Sequence, residues 1–186
     1  MKSIDKYLFQ ALDNYPYCLQ ETLESLEYSM SYNDKNAMTL CLYGRIFTEQ
    51  LFDYENAKLY FQEAIAADLH AVEVYPYYIE TLLLNEDFEE AAKLIEFSIS
   101  IKGSNKVQLL LKKVMLQEIQ KEYKTALKTL KEIKKITINN AYTDEIETTE
   151  KRIKDKKKTP KKSKNKVKNK KTKANKKEKN EKKKKK

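Results

Sequence analysis

The chain has 186 residues, with two glycines, three prolines and a formal net charge of +10. This length suits one domain with an appendage, and the scarcity of Gly and Pro beside abundant Leu, Lys, Glu and Ala favours helices over sheet. The only cysteines, Cys18 and Cys41, fit no zinc or redox spacing. The N-terminal residues lack a signal-peptide core, and no apolar run approaches the ~18 residues of a membrane span. We therefore expect a soluble cytoplasmic protein without a transmembrane segment.

The charge is divided unevenly along the chain. Residues 151–186 hold 22 Lys/Arg and 3 Asp/Glu, a net charge of +19, whereas residues 1–150 hold 16 Lys/Arg and 25 Asp/Glu, a net charge of −9. An acidic body therefore carries a basic tail, and each part requires its own interpretation.

Residues 3–36 predict a first pair of helices. We expect Ser3 to cap the first helix, because serine is a favoured N-cap residue. The sequence Asn14-Tyr15-Pro16 should break that helix, and Pro16 fits the first turn of the next helix.

Three further helix pairs are predicted at residues 37–71, 72–105 and 107–139, because one pattern recurs in register. In each unit an aromatic residue precedes a small residue by three positions, and a bulky apolar residue follows four positions later. The aromatic residues are Tyr54, Phe88 and Tyr123, the small ones Ala57, Ala91 and Ala126, and the bulky ones Phe61, Ile95 and Leu130. The alanines are 34 and then 35 residues apart. Helix pairs at this period are typical of a repeat protein.

The repeats resemble the tetratricopeptide repeat (TPR) family over roughly residues 3–137. The central unit matches best, at Leu40, Tyr43, Gly44, Phe47, Tyr54, Ala57, Phe61 and Ala64. The second copy departs from the family pattern, with Ile79 and Ser98 at positions of small residues. The resemblance implies an all-α, TPR-like solenoid of helical hairpins that binds proteins or peptides and is not an enzyme.

The C-terminal part is predicted to be a capping helix followed by a disordered tail. Residues 143–158 read as a helix that Thr143 caps and whose Ile146 and Ile153 cover the last hairpin. Residues 159–186 are rich in Lys and cannot bury enough apolar surface to repay their ordering entropy. We thus divide the chain into a repeat domain, 1–158, and a basic tail, 159–186.

No pattern of residues predicts catalysis, a cofactor or a metal. The lone His70 has no Ser, Cys or carboxylate constellation around it, and the two glycines are isolated, so there is no phosphate-binding loop. Gly44 is better explained by a close helix crossing, and Gly103 by a helix end. We expect a protein that is not an enzyme.

The resemblance also implies a peptide-binding groove, because the first helix of each TPR hairpin faces inward. The candidate groove residues are Met38, Leu42, Arg45, Glu49, Tyr77, Glu80, Lys112 and Met115. Their mixture of apolar, aromatic and charged groups suits a docked peptide or helix of unknown identity, although many of them could instead pack against the neighbouring repeat. The carboxylate clamp of the chaperone-binding TPR proteins is not expected, because Glu49 and Glu80 oppose Arg45 and Lys112.

The basic tail leads to an alternative hypothesis of nonspecific nucleic-acid binding. The candidate phosphate contacts are Lys161, Lys162, Lys164, Lys166, Lys168, Lys170 and Lys171. No aromatic residue follows Tyr142 and no arginine follows Arg152, so base stacking and bidentate base readout are not expected. The other interpretation of the tail is a solubilising segment that shields the acidic body.

Overall fold

The structure is a computed structural model, and it describes residues 5–138 and 140–158. Within these ranges all regular secondary structure is helical, which confirms the predicted all-α class. The chain divides into two compact units, with the boundary between Leu116 and Gln117. The predicted disordered tail lies outside the described residues, and the single repeat domain at 1–158 stays a prediction.

The first unit consists of three helical hairpins and the beginning of a further helix. The hairpins are formed by α1 (Lys6–Asn14) with α2 (Leu19–Tyr32), α3 (Ala37–Glu49) with α4 (Tyr54–Ala67), and α5 (Val74–Leu84) with α6 (Phe88–Ser100). Helix α7 (Lys106–Ile119) follows and crosses the unit boundary. Successive hairpins are joined by packing of α2 on α3, of α4 on α5 and of α3 on α5.

The second unit contains the end of α7, then α8 (Tyr123–Ile136), a short 3-10 turn (Asn140–Tyr142) and a last helix, α9, at residues 143–158. In α9 the side chains of Ile146 and Ile153 are buried, as the sequence predicted. Helix α9 begins at Thr143, directly after the 3-10 turn.

A buried carboxylate ties α9 to the end of α7. The guanidinium of Arg152 donates to both oxygens of Glu118, from Nε at 2.9 Å and from Nη2 at 2.8 Å. Lys156, one turn further along α9, donates to Glu118 Oε1 at 2.7 Å. Hydrogen bonds from Arg152, followed by those from Lys156, hold the pKa of the Glu118 carboxyl below its ordinary value, although burial acts against this shift.

The predicted repeat register is confirmed by where the second helix of each hairpin begins. Helices α4, α6 and α8 begin at the three predicted aromatic residues, Tyr54, Phe88 and Tyr123. The alanine three positions later is fully buried in each helix: Ala57, Ala91 and Ala126. A small side chain at this position lets the two helices of a hairpin approach closely.

Gly44 marks a close approach of the two helices in the central hairpin. A Cβ atom at this position would lie 2.8 Å from Phe61 Cζ and 2.9 Å from both Cε atoms. Phe61 is fully buried, and its ring stacks on Tyr78 with 5.5 Å between the ring centroids. The expected role of Gly44, a close crossing of α3 and α4, is therefore confirmed.

The turns inside the hairpins contain a feature that the sequence analysis missed. Phe52, Glu86 and Lys121, each two residues before a helix-opening aromatic, have φ angles of 55°, 63° and 62°. The next amide donates back into the preceding helix, as from Asp87 to Leu82 O at 2.9 Å. This left-handed residue ends each first helix, a role that glycine usually takes.

The N-terminal hairpin differs from the sequence prediction at both helix starts. Helix α1 begins at Lys6 because Asp5 caps it: Asp5 Oδ1 accepts from the amides of Tyr7 and Leu8 at 3.0 and 3.1 Å. Pro16 lies in the connection and not in the first turn of α2, which begins at Leu19. The amides of residues 17 and 18 both bond to the carbonyl of residue 14 at 2.9 Å, and this extra turn delays the start of α2.

Candidate functional site

An open cleft of about 260 Å³ lies between α3 and α5 in the first unit. Its lining residues are Arg45, Thr48, Glu49, Phe52, Phe61, Tyr77, Glu80, Thr81 and Leu84. Four of the eight predicted groove residues are among them, two from each helix. The cleft thus brings together side chains from two successive hairpins.

Arg45 is fixed at one side of the cleft by two aromatic rings and one carboxylate. Its guanidinium carbon lies 4.7 Å from the ring centre of Tyr15 and 4.3 Å from that of Tyr77. Its Nε donates to Glu49 Oε1 at 3.1 Å. Such cation–π contacts strengthen as the cation loses water. Arg45 therefore links the end of α1 to α3 and α5 and does not reach freely into solvent.

Tyr15 completes this cluster from outside the predicted groove. Its hydroxyl donates to Glu49 Oε2 at 2.6 Å. Burial and then the accepting Glu49 carboxylate raise the pKa of Tyr15 to about 12, because both disfavour the phenolate. Tyr15 stays protonated at neutral pH, so it acts as a permanent donor that orients Glu49.

A second ion pair involves Glu80, which also lines the cleft. Lys112 Nζ donates to Glu80 Oε2 at 2.8 Å and so connects α7 to α5. In this pair the carboxylate side chain is the more exposed, at 43% against 19% for the lysine. In the ion pair of Arg45 with Glu49, the carboxylate side chain is likewise the more exposed, at 38% against 20% for the arginine. In both pairs the carboxylate is more exposed to solvent than the cation.

The floor and rim of the cleft differ in polarity. At the floor the hydroxyls of Thr48 and Thr81 lie 2.7 Å apart and satisfy each other while buried. At the rim Phe52 and Leu84 leave 69% and 44% of their surfaces exposed. Large apolar side chains at the edge of a cleft are suited to contact with a partner.

The remaining predicted groove residues lie elsewhere. Leu42 is 1% exposed and packs in a core cluster with Leu8 and Leu26, so its side chain offers no surface to a ligand in this structure. Met38 is half-buried and lines a different, wider pocket beside His70. Met115 is half-buried against the central core. Lys112 touches the cleft only through Glu80.

Other predicted features carry no site in the described residues. The seven tail lysines fall outside them, so the nucleic-acid hypothesis stays a prediction from sequence. Across residues 5–138 and 140–158, no group of three or more His, Cys, Asp or Glu side chains is placed to hold a metal ion. In the same ranges, no helix is long and apolar enough to cross a membrane.

Comparison with known proteins supports the fold. The structure is similar to that of the "TPR2AB-domain:pHSP90-complex of yeast Sti1", with a TM-score of 0.57 and 21% sequence identity. The match covers 81% of this chain but only 62% of that one. At this identity the likeness shows a TPR-type fold of helical hairpins. No model of a known protein family matches the sequence, and no curated protein matches it.

Proposed function

We propose that this chain is a non-catalytic protein-interaction scaffold whose cleft between α3 and α5 takes a peptide or a helix of a partner protein. The proposal depends on one observation: Arg45 and Glu49 on α3 and Tyr77 and Glu80 on α5 line the same open cleft. A binding site needs a few fixed polar groups beside apolar surface. The ion-paired walls and the exposed apolar rim supply both.

The rigidity of the polar groups supports this proposal. Each charged side chain of the cleft already has a partner, so the walls are ordered before a ligand arrives. A preorganised site loses less conformational entropy on binding than a flexible one. The fold neighbour is a complex of a TPR2AB domain with pHSP90, which supports a protein or peptide partner for this chain.

The proposed scaffold extends over residues 1–158, with repeats near 3–36, 37–71, 72–105 and 107–139 and a cap at 143–158. We place it in the cytoplasm, where both free cysteines stay reduced. Burial raises the pKa of the Cys41 thiol to about 12, so this residue serves as a small apolar core side chain.

The test compares proteins captured from lysate by the full chain and by two matched leucine variants. Leu84→Asp places a charge on the cleft rim, whereas Leu59→Asp makes the same change at an exposed leucine of α4 that does not line the cleft. We expect mass spectrometry to identify partners that survive nuclease treatment, are lost with Leu84→Asp and are retained with Leu59→Asp.

Two results would contradict the proposal. If both variants retain the same partners, the cleft is not the binding surface. If every captured protein disappears after nuclease, the chain associates with nucleic acid, and the tail becomes the functional segment.

A further inference from the structure

We infer that the cleft between α3 and α5 selects a cationic peptide segment of a partner protein, with a lysine or arginine next to a large apolar residue. This inference rests on the proposed function and specifies the chemistry of the partner. It also predicts that this cleft prefers cationic ligands, whereas a carboxylate clamp prefers anionic ones.

The charged side chains of the cleft differ in their exposure. In both ion pairs the carboxylate is more exposed than its cation, Glu49 more than Arg45 and Glu80 more than Lys112. Arg45 and Lys112 are already bound to these carboxylates, so an anionic ligand would have to displace Glu49 or Glu80 from its cation. Each carboxylate has up to four acceptor positions, which leaves room for further donors from a ligand. The more exposed charges of the cleft are therefore negative, with Glu49 and Glu80 against the single lining cation Arg45.

Apolar surface lies beside those carboxylates. Phe52 and Leu84 at the rim and the ring of Tyr77 border the same cleft as Glu49 and Glu80. Lysine and arginine have long aliphatic stems that pack on apolar surface while the charged head reaches a polar group. A neighbouring apolar residue of the peptide would cover Phe52 and Leu84.

The part of the chain around the cleft carries an excess of negative charge. The first 100 residues carry 18 Asp/Glu against 6 Lys/Arg. A cleft surrounded by residues with a net charge of one sign attracts ligands of the opposite charge and raises their association rate. These residues would repel an acidic peptide, so their charge and the local charges of the cleft favour the same class of ligand.

The experiment measures fluorescence anisotropy of a labelled peptide of alternating lysine and leucine with the full chain. Matched peptides carry glutamine or glutamate in place of lysine. We expect the lysine peptide to bind more tightly than the glutamine peptide. Glu49→Gln and Glu80→Gln should each raise its Kd about 2–5-fold, the scale of one partly exposed ion pair.

Glu63→Gln is the control, since Glu63 is exposed on α4 and does not line the cleft. It should leave the Kd unchanged. The tail lysines can attract the glutamate peptide, but that attraction is the same in every variant, so differences between variants report the cleft. Helical circular dichroism before and after melting checks that each variant is folded.

Two results would overturn the inference, and they have different meanings. If the lysine and glutamine peptides bind equally and Leu84→Asp abolishes both, the cleft binds peptides without charge selection, and the proposed function survives. If Leu84→Asp leaves the binding of all the peptides unchanged, the cleft is not a peptide site, and the proposed function fails with the inference.

Discussion

Gly44→Ala should destabilise the first unit, although alanine is the better helix former. The added Cβ would lie 2.8–2.9 Å from three atoms of the Phe61 ring, against ordinary carbon contacts of about 3.5–4.0 Å. The ring cannot move away easily, because it is fully buried and stacked on Tyr78. Such overpacking costs about 1–3 kcal/mol, and the gain in helix propensity returns about 1 kcal/mol. The expected net loss in the free energy of unfolding is therefore up to about 2 kcal/mol.

Urea and thermal unfolding, followed by far-UV circular dichroism, would measure this loss. For a protein of this size, 1 kcal/mol corresponds to a fall in Tm of about 2–4 °C. A double-mutant cycle with Phe61→Leu identifies the cause. If the contact with the ring is responsible, Gly44→Ala should cost at least about 0.5 kcal/mol less in the Phe61→Leu background. An equal cost in both backgrounds, or a stabilised single variant, would refute the reasoning.

Three further predictions concern other contacts of the fold. Arg45→Met should lower the free energy of unfolding by about 1–3 kcal/mol, because two cation–π contacts and an ion pair are lost. Urea titration measures this loss, and an unchanged unfolding midpoint would contradict the packing described. Glu86→Gly should stabilise the protein by up to about 1 kcal/mol, because glycine adopts the observed φ of 63° without strain. The control Glu89→Gly lies inside α6 and should destabilise the protein by about 1 kcal/mol. Equal melting shifts for these two glycine variants would show that residue 86 is unstrained. Hydrogen bonds from Lys134 and then Lys154 lower the pKa of Glu150 from 4.5 to about 2. Its contribution to stability should therefore be complete above pH 4.5 and lost as the pH falls towards 2; Glu150→Gln should flatten this part of the stability curve, and an unaltered acid transition would disprove the contribution.

The repeat register could be predicted from sequence because it depends on residue size. An aromatic residue, a small residue and a bulky residue at fixed spacing identify a helix pair wherever they occur. Helices α4, α6 and α8 accordingly begin at the predicted positions. The left-handed turn residues could not be found in this way. Phe52, Glu86 and Lys121 share no side-chain chemistry, and a positive φ leaves no mark in the sequence when glycine is absent.

The candidate site was predicted less completely than the fold, for a geometrical reason. Positions 38, 42, 45 and 49 lie on one stripe of α3 at helical spacing, and the sequence does not show how far the preceding hairpin covers that stripe. The structure places Leu42 under α1 and α2 and leaves Glu49 open. Tyr15 was missed because it follows the first helix, 30 positions before the arginine that it stacks on, and no local pattern joins the two.

The carboxylate of Glu118 also fixes the position of α9 along its own axis. Arg152 and Lys156 are four residues apart, so they occupy one face of the helix and reach Glu118 together. If α9 slid by one turn so that Thr148 and Arg152 stood at these positions, Glu118 would keep one cation in place of two. Losing a partner of a buried carboxylate costs free energy. Although α9 is rich in lysine and could form ion pairs in many alignments, this single buried acid therefore favours the observed one.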